Sequence, residues 1–137
     1  MATILVIEEE EVIRGLVKVI LENAGHRVLM AGSGEAGTQL AARNVIDAIV
    51  LDCMGRVSNG VGTLKRLRGD AWTAHIPVIA MCGLGQSGAE VGLWANGLVV
   101  KPFRPAQLLL RVQAVLEARK HPEWQPEIAL PAVTQAC

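Results

Sequence analysis

Residues 48–52 read Ala48-Ile49-Val50-Leu51-Asp52: four apolar side chains without polar alternation, closed by a carboxylate. A strand with apolar residues in succession has both faces buried, which is the pattern of a parallel sheet covered by helices. Three further runs share this texture, Ile4-Leu5-Val6-Ile7, Val78-Ile79-Ala80-Met81 and Leu98-Val99-Val100. A fifth, Arg27-Val28-Leu29-Met30-Ala31, is weaker and suits a place nearer an edge. Helical periodicity fills the intervals. Ile13, Leu16, Val17, Ile20 and Leu21 form one inward stripe, Glu11, Arg14, Lys18 and Glu22 take the opposite face, and Gly25 supplies the stop. Pro105 suits the first turn of the last helix, whose inward stripe is Leu108, Leu109, Val112, Val115 and Leu116. Residues 34–43 and 59–68 predict shorter helices, the second carrying Val61, Leu64 and Leu67. The helix over 86–95 is the weakest, since Gly88 and Gly92 each cost about 1 kcal/mol of propensity relative to Ala. Five strand–helix repeats make successive strands parallel and give a doubly wound α/β sandwich.

The 137 residues suit one core rather than two. Thirteen Lys+Arg balance thirteen Asp+Glu with no basic run, which argues against direct contact with nucleic acid. No apolar stretch approaches a membrane span, and the start lacks the basic head of a signal peptide, so the expected location is cytoplasmic. Cys53, Cys82 and Cys137 are an odd number at unrelated spacings and imply neither a disulfide framework nor a zinc site. After residue 119 the texture changes to His121-Pro122, Gln125-Pro126 and Leu130-Pro131 with Trp124 among them. The expected division is a domain over 1–119 and a Pro-containing tail or linker over 120–137.

Open parallel sheets bind ligands beyond the carboxyl ends of their strands. There this chain places Glu8-Glu9, Asp52, Cys82 and Lys101-Pro102. Three carboxylates and an ammonium are thus expected at one edge. Crowded carboxylates take up a proton or recruit a cation, and oxygen donors favour a hard ion, Mg²⁺ first. Asp52 facing such an ion and Lys101 would be a nucleophile able to accept a phosphoryl group.

Ile4-Leu5-Val6-Ile7-Glu8-Glu9-Glu10, Ile49-Val50-Leu51-Asp52, Pro77-Val78-Ile79 and Val100-Lys101-Pro102-Phe103 resemble the landmark segments of response-regulator receiver domains, in order, in spacing and in strand-end placement. The resemblance runs from about Thr3 to Arg119. It implies the flavodoxin-like strand order 2-1-3-4-5. It implies that a histidine kinase or phosphotransfer protein delivers a phosphoryl group to Asp52, with Mg²⁺ held by Glu8, Glu9, Asp52 and the backbone carbonyl of Met54. Lys101 would clamp the phosphoryl oxygens, across a cis Lys101-Pro102 bond. A downstream protein would read the face made by the fourth helix, fifth strand and fifth helix. Such a module is not an enzyme beyond taking a phosphoryl group from a donor and slowly losing it.

The chain departs from that pattern at the acidic pair, where both members are Glu, and at the two switch positions. Cys82 stands where a hydroxyl follows the phosphoryl group, and Leu98 where an aromatic swings inward; Trp94 and Arg56 also replace commoner residues. Two readings follow. Asp52 is phosphorylated and read out differently, through Trp94 or Leu98, or the chain is a pseudo-receiver that binds partners without phosphorylation. Apolar Met54 and Leu84 offer nothing to orient a water, so a phosphoryl group would be long-lived. Leu110 lies off the inward stripe and could join Trp94 and Leu98 in an apolar patch for pairing two copies. Two other classes compete: a thiol sensor using Cys82, and a dinucleotide-binding enzyme using Gly83-Leu84-Gly85-Gln86-Ser87-Gly88. The second lacks the acidic residue wanted about twenty positions on. His26 and His75 read as surface residues without ligand spacing.

Overall fold

The structure is a computed structural model that describes residues 1–53, 60–83 and 88–120. Its elements are β1 (Thr3–Ile7), α1 (Glu11–Asn23), β2 (Arg27–Ala31), α2 (Gly34–Arg43), β3 (Ala48–Asp52), α3 (Gly60–Gly69), β4 (Val78–Gly83), α4 (Gly88–Gly92), β5 (Gly97–Lys101) and α5 (Pro105–Arg119). The five strands form one parallel sheet of order β2-β1-β3-β4-β5. β2, the weaker run, is an edge strand and is partly exposed.

The pleat sends alternate residues to opposite faces. Leu5, Ile7, Ile49, Leu51, Val78, Ala80, Cys82 and Leu98 join one core cluster, which also takes in Leu64 and Leu67 of α3 and Val91 of α4. Ile4, Val6, Ala48, Val50, Ile79, Met81 and Val99 join the other, with Val17 and Leu21 of α1 and Leu108 and Val112 of α5. Each such Ile or Leu, fully withdrawn from water, contributes about 1.5–3 kcal/mol.

Local chemistry fixes several ends. The Ser33 hydroxyl accepts from the Ala36 N–H at 3.1 Å and opens α2, and Pro105 opens α5 while the Arg104 N–H donates to Gln107 Oε1 at 2.7 Å. Gly25, at φ 93°, turns the chain after α1 in a conformation that favours glycine. Of the helix expected over 86–95, the described residues hold α4 over Gly88–Gly92, followed by a turn at 93–94, with 86 and 87 outside the described residues. α1 departs from expectation on both faces. Leu16 is 54% exposed and lines up with exposed Val12 and Val19, outside the core, while Arg14 is half-buried. A stripe of five apolar positions is wider than the surface this sheet covers.

His26 is half-buried rather than a plain surface residue, and its Nδ1 accepts from the Ala2 N–H at 3.3 Å. Burial, then the charge of the chain's amino terminus, holds its pKa below the ordinary 6.5. A neutral imidazole favoured by the fold stabilises fully above the unfolded value near 6.5 and stops doing so as pH falls through the lower folded value. The wild type should therefore lose more stability than His26→Asn between about pH 7.5 and pH 5 in denaturant titrations. Equal losses would show that His26 does not contribute.

Candidate functional site

Register brings the acidic residues to one place. Ile7 pairs with both Ala31 and Leu51, so Glu8 follows directly beyond the end of β1, beside Asp52 at the end of β3. Gly83 of β4 pairs with Lys101 of β5, which sets the ammonium at the same edge. By pleat alternation Glu8, Asp52 and Lys101 all belong with the residues on the α1 and α5 face.

Lys101 Nζ donates to Glu8 Oε1 at 2.9 Å and to Asp52 Oδ1 at 3.2 Å. Glu8 Oε2 accepts from the Glu10 N–H at 3.2 Å. Glu8 and Asp52 are 1% and 3% exposed, so two carboxylates share one ammonium almost out of water. Burial pushes the Glu8 carboxyl up; the Lys101 and Glu10 hydrogen bonds oppose it, and the Asp52 carboxylate pushes further in the same direction. Burial alone would lower Lys101, but the hydrogen bond it donates to Glu8 and the charges of Asp52 and Glu8 outweigh it and raise the ammonium's pKa. Burial, with the Asp52 charge, pushes the Cys53 thiol up to about 12, so it carries a proton at neutral pH. The Lys101-Pro102 peptide bond is cis, as the resemblance implies.

Not every expected site residue meets the others. Glu9 is half-buried, and among the described residues no three acidic, His or Cys side chains gather closely enough to hold a metal ion. Met54, Arg56, Leu84 and residues 121–137 lie outside the described residues. In the glycine run Gly83 closes β4 and Gly88 opens α4, with 84–87 outside the described residues. Cys82 is fully buried in the α3/α4-side cluster, on the face away from Asp52, and is disulfide-bonded rather than a free thiol, so a thiol sensor has no thiol to use there.

The expected apolar patch requires correction. Leu98 is only 4% exposed because its position in β5 points it into the same cluster as Cys82. Trp94 packs its ring against that cluster, with Lys65 Nζ 5.8 Å from the ring centroid. Leu110 alone of the three is exposed, at 67%.

Sequence reasoning missed two arginines. Arg14, assigned to the solvent face, donates from Nη1 to the carbonyls of Glu8 at 2.8 Å and Glu9 at 3.4 Å. Arg68 donates to the carbonyls of Trp94, Ala74 and Ile76 and to Asn96 Oδ1, tying the end of α3 to the segments that lead into β4 and β5. Neither had a signal in periodicity, since a cation on a helix flank is ordinarily solvated.

Comparison with known proteins agrees with this geometry. The family model of the response regulator receiver domain matches residues 4–113. The phosphate regulon transcriptional regulatory protein PhoB of Pseudomonas aeruginosa is 34% identical over 119 residues, covering 83% of this chain and 51% of PhoB. The DNA-binding dual master transcriptional regulator RpaA of Synechocystis is 37% identical over 135 residues, covering 90% of this chain and 55% of RpaA. Among solved structures, the receiver domain of the sensor histidine kinase PA1611 of P. aeruginosa, with a magnesium ion coordinated in its active-site cleft, superposes with a TM-score of 0.77 at 25% identity. That match covers 85% of this chain and 98% of the other. The chain belongs to the response-regulator receiver family and is a two-component signalling module. It spans about half the length of the curated relatives it matches.

The donor set suits magnesium in kind. Mg²⁺ keeps several waters and takes one or two protein carboxylates, and Glu8 with Asp52 supplies two, both buried.

Proposed function

We propose that Asp52 is the phosphoryl acceptor of this receiver and Lys101 its clamp. The observation that carries the reading is the single Lys101 ammonium bonded to both Glu8 and Asp52 in a pocket where both carboxylates are buried. An Asp52 oxygen attacks phosphorus, an acyl-phosphate P–O bond forms, and the donor's P–N bond breaks, leaving a histidine imidazole that takes up a proton. The ammonium is already in place to offset charge on the transferring oxygens. Glu8, Glu9, Asp52 and the Met54 carbonyl would hold a divalent ion, which when bound offsets the same charge.

A histidine kinase or phosphotransfer protein as donor, a downstream protein as reader and a cytoplasmic location complete the proposal. No described helix is long and apolar enough to cross a membrane. Pairing of two copies through the face of α4, β5 and α5 is supported by exposed Leu110, which with Gln107, Arg111 and Ala114 borders a groove against β5. RpaA is DNA-binding by name; over this chain the balanced charge supports a protein partner instead.

Incubation with acetyl phosphate and Mg²⁺, followed by intact mass measurement, tests the assignment. The wild type should gain one phosphoryl group, and Asp52→Asn none. A wild type that gains nothing sinks it and favours phosphorylation-independent binding. That second reading is supported by Cys82 and Leu98, which fill the two switch positions without a hydroxyl or a ring and are sealed in one core cluster.

A further inference from the structure

Arg14 sits one helical turn beyond the acidic pair, and the Arg14 N–H closes the first turn of α1 on the Glu10 carbonyl at 2.9 Å. Its side chain turns back toward the strand end. Nη1 donates to the Glu8 carbonyl at 2.8 Å and touches the Glu9 carbonyl at 3.4 Å, so one guanidinium nitrogen spans two consecutive peptide groups. Space for it comes from Gly32, between β2 and the Ser33 cap of α2, where an added Cβ would lie 3.1 Å from Nη1. The Glu8 N–H donates to the Ala31 carbonyl at 3.0 Å, fixing the same loop from its other side.

A peptide plane held at its carbonyl fixes the direction in which the adjoining Cα–Cβ bonds leave. Longer Glu side chains have more rotamers than Asp to lose before they can converge, so this pair needs firmer orientation. We propose that Arg14, seated against Gly32, is a positioning residue that aims the Glu8 and Glu9 carboxylates at the Asp52–Lys101 pocket. This rests on the phosphoryl-acceptor reading above.

Calorimetric titration with Mg²⁺ and phosphoryl uptake from acetyl phosphate test the proposal. Groups that orient metal ligands typically cost 10–100-fold in affinity when removed. Arg14→Met should weaken Mg²⁺ binding about 10-fold and raise the Mg²⁺ needed for half-maximal uptake, with a smaller change in rate at saturation. Gly32→Val, which alters no charged group, should do the same by displacing the guanidinium. The double variant should be no worse than the poorer single one, since both remove one contact; independent effects would multiply to about 100-fold. Arg14→Lys should recover part of the affinity. Thermal unfolding of each variant separates these losses from misfolding, and Gly32→Val carries the test alone if Arg14→Met does not fold. Wild-type Mg²⁺ affinity in both variants, or multiplying losses in the pair, overturns the positioning role and leaves Asp52 as acceptor. A wild type that neither binds Mg²⁺ nor gains mass overturns both.

Discussion

Lys101→Met should lower stability by about 2–3 kcal/mol at neutral pH and slow phosphoryl uptake at least about 10-fold. The substitution keeps most of the side chain's apolar stem and removes only the ammonium, so the loss reports electrostatics more than packing. Breaking a buried ion pair from one side typically costs about 3–5 kcal/mol. The lower figure follows because the Lys101 side chain is 15% exposed and because Glu8, already pushed up by burial, can shed its charge by taking a proton. The sign with pH is fixed by that route. A carboxyl raised in the fold binds its proton more tightly there than in the unfolded chain, so acidification relieves the variant and the gap to wild type should narrow toward about pH 5. Asp52→Asn should have the opposite sign, because it leaves Glu8 and Lys101 as a matched pair. Denaturant unfolding of both variants checks this, and a Lys101→Met protein as stable as the wild type at neutral pH would show that the carboxylates do not depend on the ammonium.

Gly60→Ala should cost about 2–3 kcal/mol and depress phosphoryl uptake with it. A Cβ there would lie 2.6 Å from Cys53 Cα and 2.9 Å from its Cβ and Sγ. The first of these is backbone and cannot rotate aside, so either α3 lifts or the end of β3 shifts, and Asp52 is the next residue. Gly15→Ala is the matched control. It lies mid-helix in α1 with nothing within 4 Å of the added carbon, and should stabilise by about 0.5–1 kcal/mol. If Gly60→Ala behaves like Gly15→Ala, the close contact between α3 and β3 does not constrain the pocket.

The sheet was legible because its strands are unbroken apolar runs, and the polar residue after each run marked the site edge. Glu8, Asp52 and Lys101 meet as that reading requires. Periodicity failed where it had to choose between neighbouring helical positions. Leu16 fits the inward stripe of α1 by spacing, yet a narrow helix–sheet contact stops short of it. The patch of Trp94, Leu98 and Leu110 failed for a related reason: β5 alternates, so Leu98 went inward with Cys82 while Leu110 sits on a helix flank. Arg14 and Arg68 were invisible because most of their partners are main-chain carbonyls, which no side-chain pattern encodes.

The alternation along these strands separates two inheritances. Asp52 and the Lys101 ammonium face one layer of helices, whereas positions 82 and 98 face the other. Substitution can erode the messenger's side of the partition while the donor's side stays intact, since no side chain has to serve both. A lineage could thus keep its capacity to be charged and reinvent, or abandon, what the charge announces.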